Sequence, residues 1–140
     1  MSDYLHTTIL VTGAGGHLGR RIVELLQQAG ASKVIAGSRD PSKLNVQDAE
    51  VRRIDFADAA SLEAGFAGMD QVLIISTDVV GEARQALQLA AVAAAGKAGV
   101  KHIAYTSLTH PEADSPVLIA PDHRITEEAI KTTGLPYTFL

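Results

Sequence analysis

The stretch ILVTGAGGHL, residues 9–18, changes character in its middle. Ile9, Leu10 and Val11 are strand formers. Thr12 then leads into Gly13, Gly15, Gly16 and, one residue beyond the stretch, Gly19. Glycine costs roughly 0.5–1 kcal/mol relative to alanine inside a regular element, so such a cluster needs a physical reason. Either the turn is too tight for side chains, or a ligand must come close to the main chain. The residues that follow, 16–29, have a helical pattern, with Leu18, Ile22, Leu25, Leu26 and Ala29 as an apolar stripe and Gly30 as a C-terminal cap. The glycines therefore join a strand to the start of a helix.

The same alternation runs along the rest of the chain. Strands are expected at residues 7–12, 33–38, 50–56, 71–76, 101–107 and 137–140, and helices at 61–67, 82–98 and 122–132. Pro41 suits the first turn of a short helix, where its missing N–H is not needed, and Asp122 is a candidate N-cap. The run 71–76 is almost continuously apolar, as strands of a parallel sheet are when both faces are covered. Strands separated by helices require right-handed crossovers. The expected fold is α/β: a doubly wound parallel sheet of Rossmann type with helices on both faces, residues 1–140 forming one dinucleotide-binding domain.

The composition narrows the partners. Of 140 residues, 46% are hydrophobic and 20% charged, which suits a globular chain with a sizeable core. A net charge of −4 gives no general attraction to nucleic acid or to anionic membranes. The chain has no cysteine, so disulfides, thiolate metal sites and cysteine nucleophiles are excluded. No secretory signal or long apolar run is visible, and the expected location is the cytoplasm. His6, His17, His102 and His110 lack metal-ligand spacing, so no metal site is expected. The final residues, GLPYTFL, end inside an expected strand, which points to a fragment of a longer chain.

The glycine spacing has a chemical reading. Gly13-x-x-Gly16-x-x-Gly19, between the first strand and the first helix, is the context of a dinucleotide fingerprint. Helix N-termini present unpaired N–H groups and partial positive charge, which suit a pyrophosphate. Gly13 permits the turn, Gly16 permits close approach, and Gly19 lets helix and strand pack. Ala14, Gly15, His17 and Leu18 complete the cradle, with His17 beside the pyrophosphate. At the end of the second strand, NAD-preferring proteins usually place an acid for the ribose hydroxyls. Here Ser38 fills that slot and Arg39 follows, a residue suited to a 2′-phosphate, with Lys43 as a further point charge. NADPH is therefore the expected cofactor. Asp40 either pairs with Arg39 or is the acid displaced by a register shift. Asp55 can accept from the adenine amino group with Phe56 beside the ring, or simply begin a turn. Ser76 and Thr77 fall at the carboxyl edge of the sheet, where ligands bind in such folds, or open the next turn.

Together these residues resemble the atypical short-chain dehydrogenase/reductase superfamily, in its NmrA-like branch. The resemblance is nearest to bacterial NADPH-dependent quinone oxidoreductases and triphenylmethane reductases. The segments TGAGGHLG, SRDPSK, DFADAASL, LIIST, AGVKHIAYTSL and GLPYTFL carry it, spread over the whole chain. It implies a Rossmann domain binding NADPH, a smaller C-terminal substrate domain beyond Leu140, and a quinone or similar small-molecule acceptor.

One departure bears on the chemistry. Conventional members of the superfamily use a Tyr-x-x-x-Lys pair, whereas Tyr105 is followed at that spacing by Thr109. His123 and Glu127 share a face of the last helix, but neither is the usual phenol or ammonium. No catalytic residue is assigned; His123 is an acid, an orienting group or a surface histidine. The expected activity is hydride transfer to a quinone-like acceptor, which positioning alone can support. The alternative is an NAD(P)-sensing regulator without turnover; a sugar-nucleotide epimerase is disfavoured by the missing pair. Ala86, Ala90, Ala93 and Ala94 are read as packing on the sheet, with monomer and homodimer both open.

Overall fold

Leu10 faces one side of the central sheet, and Ile9 and Val11 face the other; all three are buried. That double burial is what a parallel sheet between helical layers requires. The computed structural model describes residues 6–140. The elements are β1 (Thr8–Val11), α1 (His17–Gln28), β2 (Lys33–Ser38), a 3₁₀ turn (Pro41–Lys43), β3 (Glu50–Arg53), α2 (Ala59–Phe66), β4 (Gln71–Ile74), α3 (Glu82–Ala98), β5 (His102–Tyr105), α4 (Ala120–Thr132) and β6 (Tyr137–Phe139).

The strands form one parallel sheet in the order β3-β2-β1-β4-β5-β6. The order reverses between β1 and β4, which opens a crevice at their carboxyl ends. Helix α1 packs on one face, against Val11, Val34, Ala36 and Leu73. On the other face α2, α3 and α4 pack over Leu10, Ile35, Val72, Ile74 and Ile103. The expected doubly wound sheet, with helices on both faces, is present.

Several boundaries differ for local reasons. β4 stops at Ile74 because side chains take over the main-chain bonding. Thr12 Oγ1 donates to the Leu73 carbonyl at 2.9 Å and accepts from Ile75 N–H at 3.0 Å, and Ser76 N–H donates to Thr106 Oγ1 at 2.8 Å. β3 ends at Arg53, and the chain turns where Ser61 Oγ accepts from Asp55 N–H at 2.9 Å. α4 starts before Asp122, with Pro121 in its first turn and Ile119 at the N-cap. Asp122 is thus not the N-cap; its carboxylate turns to Gly81 N–H (2.9 Å) and Gln85 Nε2 (2.7 Å).

Two helix faces also differ from the expected stripes. In α1 the buried residues are Gly19 and Val23, with Ile22 and Leu26 packed beside them, while Leu18 and Leu25 are exposed. The missing side chain at Gly19 rolls that face onto the strand. In α3 the buried face is Arg84, Gln88, Ala91, Val92 and Ala95. Ala90 and Ala94 pack at its margin, and Ala86 and Ala93 are exposed.

The tightest approach in the fold is at Gly19. A Cβ there would stand 2.7 Å from the Gly13 carbonyl carbon and 2.8 Å from Ala14 Cα, and closer still to the Gly13 oxygen. All three are backbone atoms and cannot swing aside. Overpacking of this kind costs typically 1–3 kcal/mol, occasionally more. Gly19→Ala is expected to lower stability by about 3 kcal/mol, measured as a shift of the urea midpoint at unchanged slope.

Candidate functional site

The crevice is built around the β1–α1 turn. Gly13 lies at φ +64°, a conformation that L side chains rarely adopt. Ala14 is buried and its N–H donates to the Gly37 carbonyl at 2.9 Å, so the turn is tied to β2. On its other side, a Cβ at Gly13 would stand 3.5 Å from the Cβ of Ile75, the residue after β4. The turn therefore bridges the two strand ends that flank the crevice.

Gly15, Gly16, His17 and Leu18 are exposed at the N-terminus of α1. Gly16 is the N-cap and offers no side-chain acceptor, and the first turn carries no acid. The first N–H groups of a helix have no partner within it, so this end is ready for an anion. A Cβ at Gly16 would meet only the Gly13 oxygen, at 3.6 Å. Nothing in the protein's own packing calls for glycine there, whereas a ligand lying against the main chain would. That is the fit expected of a pyrophosphate.

The end of β2 supplies polarity. Ser38 is half-buried, and its Oγ accepts from Asp40 N–H at 3.3 Å and lies 3.3 Å from where a Gly15 side chain would start. Arg39 is exposed and makes no ion pair among the described residues. Asp40 does not pair with it. Its carboxylate accepts from Ser42 Oγ at 2.6 Å and Ser42 N–H at 3.2 Å, and pairs with Lys43 at 3.3 Å. The Ser42 hydroxyl, then Lys43, holds this carboxyl below its usual range. Lys43 thus shares its charge with Asp40 rather than standing alone.

At the end of β3, Asp55 is engaged by its own turn. Oδ1 accepts from Ala57 N–H at 3.0 Å, and Oδ2 lies 3.3 Å from the Arg53 guanidinium. Phe56 packs against the core. At the end of β4, Thr77 N–H donates to Gln88 Oε1 at 3.2 Å, and its hydroxyl oxygen is covered and has no partner. The N–H and hydroxyl of Thr77 both face inward, while Ser76 Oγ accepts from Thr106 Oγ1 at 3.4 Å.

Behind this edge lies a buried polar network that the sequence did not announce. His123 is not on the surface: it is 3% exposed. Arg84 Nη1 stands 3.3 Å from His123 Nε2, and Tyr105 Oη 2.7 Å from His123 Nδ1. Arginine can only donate, so Nε2 accepts. The ring is then neutral, with its proton on Nδ1 and donated to Tyr105. Burial, and then the Arg84 charge, hold His123 below the usual histidine pKa, against an opposing pull from Asp122. Tyr105 is fully buried, and burial pushes its hydroxyl up to about 12. Glu127 accepts from Ser107 Oγ at 2.5 Å. Arg84 and Gln88 are polar, so hydropathy does not mark them; their phase with Ala91, Val92 and Ala95 is the signal in the sequence that places them inside. Among the described residues no cluster of three or more His, Cys, Asp or Glu forms a metal site, and no helix is long and apolar enough to cross a membrane.

Residues 13–140 match the family described as NAD(P)H-binding. The chain belongs to this family. It is 39% identical over 136 residues to quinone oxidoreductase 2 of Escherichia coli (strain K12), covering 94% of this chain and 47% of that protein. The triphenylmethane reductase of Citrobacter sp., solved in complex with NADP(H), superposes with a TM-score of 0.88 at 40% identity, covering 94% of this chain and 48% of that one. The NADPH-dependent quinone oxidoreductase of Escherichia coli, solved with NADPH, gives a TM-score of 0.86 at 38% identity, covering 94% and 47%. This NAD(P)H-binding chain thus resembles NAD(P)H-dependent reductases of the NmrA-like type and spans about half the length of the curated relatives it matches.

The buried histidine has a measurable consequence. The unfolded chain takes a proton at the ordinary histidine pKa of about 6.5, while folded His123 resists it. Stability therefore falls as pH drops below about 6.5, by at most about 1.4 kcal/mol per pH unit for one proton. Urea titrations at pH 7.5, 6.5 and 5.5 should show this slope, and His123→Gln should flatten it.

Proposed function

We propose that this chain is the NADPH-binding part of a reductase that passes a hydride to a quinone or a similar electrophilic acceptor. The observation that carries the reading is Arg39, free of any ion pair among the described residues, beside Ser38 where an acid would select NAD. The open Gly16 cradle at the start of α1 supports the same reading.

The bound cofactor supplies the hydride; the chain binds and orients it. N–H groups at the start of α1 meet the pyrophosphate, with Gly13, Ala14, Gly15, His17, Leu18 and Gly19 shaping the approach. Arg39 and Ser38 take the 2′-phosphate, and Lys43 adds screened positive charge. Asp55 and Phe56 border the adenine. Ser76 and Thr77 form the wall on the other side of the crevice.

The reading of the acceptor follows from the proton inventory. Tyr105 and His123 are sealed and bonded to each other, so neither offers a proton at the crevice surface. An alkoxide formed from an aldehyde or ketone needs such a donor; a quinone or cationic dye does so much less. The resemblance to quinone and dye reductases supports this choice. The same sealed pair also suits an NAD(P)-sensing regulator. Cofactor absorbance followed with a quinone panel separates the two, since a sensor binds without oxidising NADPH.

A charge-assisted hydrogen bond contributes roughly 1.5–3 kcal/mol, or about tenfold to a hundredfold in affinity. Titration should therefore show NADPH bound that much more tightly than NADH, with Arg39→Ala collapsing the ratio toward one. Equal affinities in the unsubstituted protein would remove the basis for NADPH. Gly16→Val, in contrast, should keep the circular dichroism and melting profile while losing both cofactors.

A further inference from the structure

The segment between β4 and α3 is held by side chains along most of its length. Thr12 and Thr106 take the N–H groups of Ile75 and Ser76 from neighbouring strands. Asp122 takes that of Gly81, and the Val79 carbonyl accepts from Arg84 Nε. Thr77, between them, is held by Gln88.

Gln88 is fully buried in the middle of α3. Its Oε1 accepts from Thr77 N–H at 3.2 Å, which fixes the orientation of the amide. Both Nε2 hydrogens are used, toward Tyr105 Oη at 3.0 Å and Thr126 Oγ1 at 2.7 Å. Thr126 passes its own hydrogen to the Asp122 carbonyl at 2.8 Å. A side chain of the same size without polar atoms would fill this space. A buried amide is tolerated only when every bond is made, and such networks fix one arrangement rather than add stability. What this one fixes is the main chain of Thr77, on the β4 side of the crevice.

We propose that Gln88 is a positioning residue for the far half of the crevice: it sets the Ser76–Thr77 main chain so that the nicotinamide half of a dinucleotide meets a preformed wall. The inference rests on the dinucleotide reading above. The adenosine half of such a ligand lies toward β2 and β3, and the other half crosses the point where strand order reverses. Gln88 should therefore govern one half of the ligand and not the other.

The test compares NADPH with 2′,5′-ADP, which carries only the adenosine half. Gln88→Met, close in size, should bind 2′,5′-ADP within twofold of the unsubstituted protein but NADPH at least tenfold more weakly. In the ligand-free protein the Thr77 amide should exchange at least tenfold faster. Gln88→Glu, whose carboxyl burial keeps neutral, retains the acceptor for Thr77 and one hydrogen for Thr126, and should restore both the affinity ratio and the protection. Loss of both ligands in equal measure, loss of neither, or an unchanged Thr77 amide would overturn the role of Gln88. If Gln88→Met does not fold, Gln88→Leu takes its place: a lowered NADPH-to-2′,5′-ADP affinity ratio together with a faster Thr77 amide supports the role, and an unchanged ratio overturns it. An unsubstituted protein that binds neither ligand overturns the dinucleotide reading, and this inference with it.

Discussion

The close approach of Gly19 to the Gly13 carbonyl sets the rest of the architecture. With no side chain between them, α1 lies directly on the turn that leaves β1. This contact aims the first turn of the helix at the carboxyl edge of the sheet. It also places Ala14 against β2 and Gly13 against Ile75, so the strand ends on both sides of the reversal are gathered at one point. The crevice follows from helix–strand packing before any ligand is considered.

The two sides of that crevice are held differently. The α1 side is main chain, exposed and free of side-chain caps, and has its N–H groups to offer. The β4 side is a loop in which the N–H groups of Ile75, Ser76, Thr77 and Gly81 are already occupied by Thr12, Thr106, Gln88 and Asp122. One side presents donors and the other presents a fixed surface. The division suits a ligand whose charged middle must be bound and whose far end must be aimed.

Much of the frame was legible in the sequence. β2 and α3 fall where residues 33–38 and 82–98 were expected, because flanking Gly and polar residues end both patterns sharply. The glycine turn was legible through its spacing and its place after the first strand. His123 was not, because its burial depends on Arg84, 39 residues away, and on how α3 packs against α4. Asp122 differs for the same reason: a local pattern suggests a cap, but a long-range partner on Gly81 claims the carboxylate. Leu18 and Leu25 belong to the hydrophobic stripe yet lie outside the core, because hydrophobicity alone does not mark the face that packs. A glycine at the closest contact marks the buried face better than the leucines beside it.

Among the described residues the sheet has two edges, and they are not alike. β3 runs Glu50-Val51-Arg52-Arg53, with Glu50 paired to both Lys33 and Arg52. Charges on an edge discourage another strand from adding to it. β6 carries Tyr137, Thr138 and Phe139, no charge, and a Tyr137–Phe139 stack with centroids 4.7 Å apart. Charge that discourages strand addition is thus confined to the β3 side of the sheet among the described residues.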